Sequence, residues 1–233
     1  LIHTDSVSFR RAMRCIASAA ILAGCAPALG EPPGAPVAEP SVLADSVRAA
    51  TVPASPRQAR FGWNLDERGT RLRGTGVARY EAPRRLRVDL FGPRGETYLA
   101  AALVGDSVRL PGALPASLAL PSPALLWGAV GVLRPPSGST VTAAGREGER
   151  MTLRYASPAG ETFQFVSDAS GLLEVRRFGG AELLESVELR RGDGGTLSGA
   201  EYRNWEEFRS LAFEIQSAED VAAFPDEIFS PGR

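Results

Sequence analysis

Lysine is missing from this chain: all 26 of its basic side chains are arginine, set against 27 acids. Histidine occurs once, as His3, and cysteine twice, as Cys15 and Cys25. Two cysteines cannot make a disulfide framework, and a lone histidine cannot fill a zinc site. Schiff-base lysines and Ser-Lys dyads are excluded outright. No apolar run approaches the roughly 20 residues that a helix needs to cross a bilayer. His3 and Cys15 both stand upstream of residue 25, where a different kind of signal ends.

That signal has three parts. Arg10, Arg11 and Arg14 form a positive leader, Ile16 to Ala23 an apolar core, and Leu22-Ala23-Gly24-Cys25 closes it with small residues before a cysteine. This is the layout of a secretory signal peptide. It resembles a bacterial lipoprotein signal with its lipobox, which implies cleavage before Cys25 and diacylglycerol, with palmitate-type chains, on its sulfur. Residues 1–24 are therefore expected to be removed. The remainder is expected to face the periplasm, anchored by Cys25, with the outer membrane favoured because Ala26 is not an aspartate.

Removal of the leader takes away the only imidazole and leaves 23 arginines against 26 acids, a net charge of −3. Ser-His-Asp and Cys-His nucleophiles are then excluded, and only carboxylate catalysis remains open. The charge balance gives no basic field for nucleic acid. No metal and no cofactor is expected.

Residues 25–56 read as the lipidated cysteine followed by a spacer, with seven of the 18 prolines between Ala26 and Pro56. Stiff proline-rich chain extends about 3.1 Å per residue, enough to hold the folded part roughly 40 Å from the lipid. Leu43, Val47 and Ala50 fall at helical spacing behind Ser41, a candidate N-cap, so a short amphipathic helix is expected over 41–50, packed on the domain that follows.

Residues 57–233 alternate with period two and are broken by turn residues every 8 to 12 positions, which predicts an antiparallel meander. Leu72, Gly74, Gly76, Ala78 and Tyr80 share one face. Leu86, Val88 and Leu90 alternate with Arg85, Arg87 and Asp89. Met151, Leu153 and Tyr155, then Phe163 and Phe165, then Leu211, Phe213 and Ile215 repeat the pattern. Asp66 to Gly69, Val104 to Asp106, Ser157 to Gly160 and Arg191 to Gly195 carry turn chemistry. Gly74-x-Gly76 precedes no helix, so it marks a bulge or close packing rather than a phosphate loop. Ser122-Pro123 opens a helix over Ala124 to Leu133 that Pro135-Pro136 ends. It is apolar on almost every side, so it plugs the concave face of the sheet or lids a cavity.

These segments resemble the Lol family of periplasmic lipoprotein carriers and receptors, most of all its outer-membrane receptor branch, LolB. The resemblance rests on Phe61-Gly62-Trp63, Gly74 to Ala78, Pro83 to Leu90, Gly92-Pro93-Arg94-Gly95, Leu120-Pro121, Leu125 to Gly128 and Met151 to Tyr155. It implies a mainly β (α+β) fold, a single half-open antiparallel β-barrel wrapped around short helices, with a hydrophobic cavity for acyl chains. The cavity lining expected from alternation is Leu86, Val88, Leu90, Leu99, Leu125, Trp127, Val130, Leu153, Phe163 and Phe165. Where the receptor loop carries an exposed leucine implicated in handing cargo to the membrane, this chain has Arg94, and a guanidinium prefers water or phosphate to hydrocarbon.

Arg57 to Arg94 carries ten arginines against four acids, and Glu182 to Glu227 carries 12 acids against four arginines. Arg84, Arg85, Arg87 and Arg94 are candidates for contact with anionic headgroups. The competing expectation is that the two halves are solvated faces, partly complementary across the sheet. The expected protein is a monomeric, non-enzymatic lipoprotein that binds phospholipid or the acyl chains of lipoproteins, acting in lipoprotein localisation or envelope biogenesis. An assembly lipoprotein with no ligand cavity is the alternative. A carboxylate enzyme using Glu206-Glu207 or Asp226-Glu227 comes third.

Overall fold

The computed structural model describes residues 28–112 and 120–231; the leader and Cys25 lie outside the described residues. The alternating segments become thirteen strands of one antiparallel sheet. They are β1 (Ala35–Pro36), β2 (Arg57–Glu67), β3 (Thr70–Glu81), β4 (Arg85–Phe91), β5 (Thr97–Val104), β6 (Ser107–Arg109), β7 (Thr140–Glu147), β8 (Arg150–Ala156), β9 (Glu161–Asp168), β10 (Gly171–Gly179), β11 (Glu182–Arg191), β12 (Leu197–Asn204) and β13 (Arg209–Asp220). Their order across the sheet is β1-β7-β8-β9-β10-β11-β12-β13-β2-β3-β4-β5-β6. Two meanders thus meet where β13 pairs with β2, from Arg209 opposite Glu67 to Asp220 opposite Arg57. β1 and β6 are the free edges, so the sheet curls without closing. This is the expected half-open barrel.

Two helices occupy the concave side. α1 (Pro40–Thr51) begins one residue before the expected Ser41 cap: Glu39 is the cap residue and Pro40 takes the first helical position. Its buried residues are Ala44 and Val47, packed with Leu153, Tyr155, Phe163 and Phe165. α2 (Pro123–Ala129) starts as expected but stops four residues short of Leu133. Gly131 takes φ +81, where the Gly131 N–H reaches the Gly128 carbonyl (2.8 Å) and the Val132 N–H the Trp127 carbonyl (3.0 Å). That double bond pattern is a glycine C-cap, which ends a helix independently of the prolines beyond it.

α2 sits between two cores. Ala124 and Leu125 belong to the core under β7 to β12, while Trp127 joins Phe61, Trp63, Tyr80, Leu86, Leu90 and Leu103 under β2 to β5. The Gly74-x-Gly76 pair is close packing and not a bulge, since β3 runs in unbroken register with both neighbours. A Cβ at Gly76 would meet the Phe61 ring at 2.4 Å, and one at Gly74 would meet the Phe91 carbonyl oxygen at 1.9 Å and the Trp63 ring at 2.9 Å. The glycines leave the slots in which two β2 aromatics lie.

The proline-rich stretch departs from expectation. The Leu29 N–H donates to the Ala181 carbonyl (2.9 Å), Arg154 donates to the Gly30 carbonyl, and β1 pairs with the edge of β7. From Leu29 onward the segment lies on the domain and does not stand it off. Proline fixes the local conformation, whereas the partner comes from backbone groups of a distant edge strand that composition does not reveal.

Charges are paired across strands on both faces of the sheet. Arg79 and Arg87 both bond Asp89 (2.9 and 2.8 Å), and Arg177 bonds Glu161 and Glu185 (both 2.6 Å). At the junction of the meanders Arg57 pairs with Asp220 (2.7 Å), Gln58 donates to Glu219 (2.9 Å) and Arg209 pairs with Glu67. The basic and acidic halves are in this part complementary. Among the described residues no helix is long and apolar enough to cross a membrane.

Candidate functional site

Beneath α2 the second meander leaves space unfilled. A cavity of about 680 Å³ lies between the helix and the inner face of β2 to β5, β12 and β13. Ligand pockets commonly fall between about 300 and 1,000 Å³ and are mostly apolar with a few placed polar groups. The floor is Phe61 from β2, Leu86, Val88 and Leu90 from β4, Leu99 from β5, and Phe213 and Ile215 from β13. These residues reach one surface because alternate side chains of each strand point inward.

The roof is one side of α2. Leu126 and Val130 are four positions apart, hence stacked on one helix face, and both border the cavity together with Leu125 and Ala129. Thr51 at the end of α1, with Val52 and Pro53 just past it, forms a side wall. The Thr51 hydroxyl accepts from the Leu133 N–H (3.0 Å), which ties this wall to the chain leaving α2.

Of the ten residues expected to line the site, six border this space: Leu86, Val88, Leu90, Leu99, Leu125 and Val130. Trp127 does not; it is fully buried in the core under β2 to β5. Leu153, Phe163 and Phe165 also lie elsewhere, at 0–1 % exposure in the close-packed core on which α1 rests. Their alternation gave the correct face of the sheet, but α1 fills that half. Leu126, Phe61 and Phe213 border it as well, and alternation in β2 and β13 is the signal that could have found the last two.

The polar groups gather at the rims. Arg57 bonds Asp220, which holds its guanidinium firmly charged. Beside it, burial pushes the Tyr80 hydroxyl above its usual pKa while Arg57 pulls it back. At the opposite side the cavity is bordered by Ser170 and Gly171 of the β9–β10 turn, by Arg191, and by Gly194 to Thr196. Among the described residues no acid borders the cavity. Asp226 pairs with Arg85 and Glu207 with Arg209, so neither acidic pair converges on a reaction centre. No group of three metal-ligating side chains occurs among the described residues.

The four arginines proposed for headgroups divide evenly. Arg84 and Arg94 are exposed. Arg85 is committed to Glu81 (2.7 Å) and Asp226, with its guanidinium 4.5 Å from the centre of the Phe229 ring. Arg87 forks onto Asp89 and donates to the Ile228 carbonyl (2.7 Å). Asp89 is only 4 % exposed, and a buried carboxylate needs those donors. Arg85 and Arg87 therefore serve the fold, which corrects their reading as surface contacts.

No family model matches the chain, and no curated protein matches it by sequence. Solved structures do match in shape. One is a LolA superfamily protein from Nitrosomonas europaea, at TM-score 0.56 and 8% identity, covering 82% of this chain and 97% of that one. Another is a DUF1329 family protein from Desulfovibrio piger, at TM-score 0.50 and 8% identity, with the same two coverages. At such identity the likeness is one of fold: this chain shares the fold of those two proteins over nearly their whole length.

Proposed function

We propose that this protein is a membrane-anchored lipoprotein, acylated at Cys25 and facing the periplasm, that takes acyl chains of lipids or of lipoproteins into the cavity beneath α2. The observation that carries this reading is the apolar space of about 680 Å³ between α2 and the sheet. The mechanism is partition: each acyl methylene that leaves water for the cavity contributes about 0.8 kcal/mol. No catalytic step is invoked. The fold shared with the LolA superfamily protein supports the same direction.

In this reading α2 and the Thr51 wall frame the cavity, and their motion sets the rate of exchange. The test is native mass spectrometry of the chain carrying Cys25→Ser, purified without detergent. A co-purifying lipid or acylated peptide is expected. A clean apo mass that stays clean after incubation with phospholipid vesicles would overturn the reading in favour of an assembly role.

A further inference from the structure

One residue is out of keeping with the apolar cavity. Arg191, the last residue of β11, brings a guanidinium to its border between the β9–β10 turn and the loop that leads to β12. Nη1 donates to the Gly195 carbonyl (2.7 Å) and Nη2 to the Leu172 carbonyl (2.9 Å). Nε is buried and has no hydrogen-bond partner. Arg191 forms no ion pair among the described residues, and Asp168 acts on it only through space. Arg57, the other arginine at the cavity, is by contrast paired with Asp220.

Backbone rather than side chains surrounds this group. A Cβ at Gly171 would lie 2.6 Å from Nη2, and one at Gly131, two residues past α2, would lie 3.9 Å from it. Two carbonyl dipoles hold the guanidinium in position, and among the described residues no acid touches it; Asp168 acts only from a distance. Burial disfavours the cation, yet an arginine does not give up its proton. A direct partner for it would be an anion, and the cavity that it borders is mostly apolar.

Resting on the reading that the cavity takes acyl chains, we infer that Arg191 is its headgroup anchor, so that the ligand is an acyl amphiphile with an anionic carboxylate or phosphate head. The chain lies along Phe61, Leu90, Leu126 and Phe213, and the head reaches Arg191. This excludes as the preferred ligand the uncharged glyceride end of an acylated protein, which would leave the guanidinium unpaired.

The experiment compares ligands of equal chain length on the chain carrying Cys25→Ser. Palmitate is titrated against methyl palmitate, and 1-palmitoyl lysophosphatidate against monopalmitoyl glycerol, with bound fractions read by native mass spectrometry. A hydrogen bond to a charged group predicts that each anion binds about tenfold tighter than its neutral partner. A higher affinity of palmitate or of lysophosphatidate then assigns the head as carboxylate or phosphate. Arg191→Met should bring each ratio close to one; if that variant fails to fold, the ratios on the unaltered Arg191 still decide. Equal binding of anionic and neutral partners would overturn the anchor while leaving the acyl cavity standing. Binding of none of the four would overturn both.

Discussion

At Gly74 and Gly76 a side chain is excluded by its neighbours, not by the backbone. A methyl group at Gly74 has no place between the Phe91 carbonyl and the Trp63 ring, so Gly74→Ala should cost about 1–3 kcal/mol. The shift should appear in the urea midpoint with an unchanged slope. Glu81 offers a different test. The Arg85 guanidinium forked onto it holds its carboxyl below the ordinary range, against the opposing effect of burial. Its ionised form is thus favoured by folding. That contribution is complete above the unfolded carboxylate pKa of about 4.3 and is lost as the pH falls through the lower folded value. Glu81→Gln should therefore destabilise the protein near neutral pH and flatten the acid limb of stability against pH, measured by urea midpoints.

At the scale of elements, α2 separates stability from binding. Both Leu125 and Leu126 border the cavity, but Leu125 is fully buried in the core under β7 to β12, whereas Leu126 is only partly buried and packs against the core under β2 to β5. Leu125→Glu places an unpaired charge in packed interior, which should unfold the domain. Leu126→Glu should leave the circular dichroism spectrum and a cooperative melt in place and abolish acyl retention. The start of α2 was legible in Ser122-Pro123, because a cap signal is local. Its end was not, since Gly131 competes with apolar residues that continue to read as helix. Alternation likewise gave the inward face of both meanders. It did not show that α1 covers Leu153, Phe163 and Phe165 and leaves Leu90 and Phe213 uncovered, because that depends on where a distant helix docks. Arg191 was legible only as part of a turn, since nothing local shows that a charge lacks a counter-ion.

At the scale of the whole molecule the two meanders share one sheet, joined by the long β13–β2 pairing and its flanking ion pairs. Neither half has its core to itself, because α2 contributes Leu125 to one and Trp127 to the other. A single calorimetric transition is expected, with van't Hoff and calorimetric enthalpies equal. Two resolved transitions would show the meanders to be separable. The docking of the N-terminal segment bears on transport. Leu29 is fixed beside Ala181, and only Ala26, Pro27 and Ala28 separate it from Cys25, a reach of at most about 14 Å between the two α-carbons. An acylated Cys25 would hold the half-barrel against the bilayer on a leash too short to let it roam. Such a protein is a fixed berth, and whatever it receives must be brought to it.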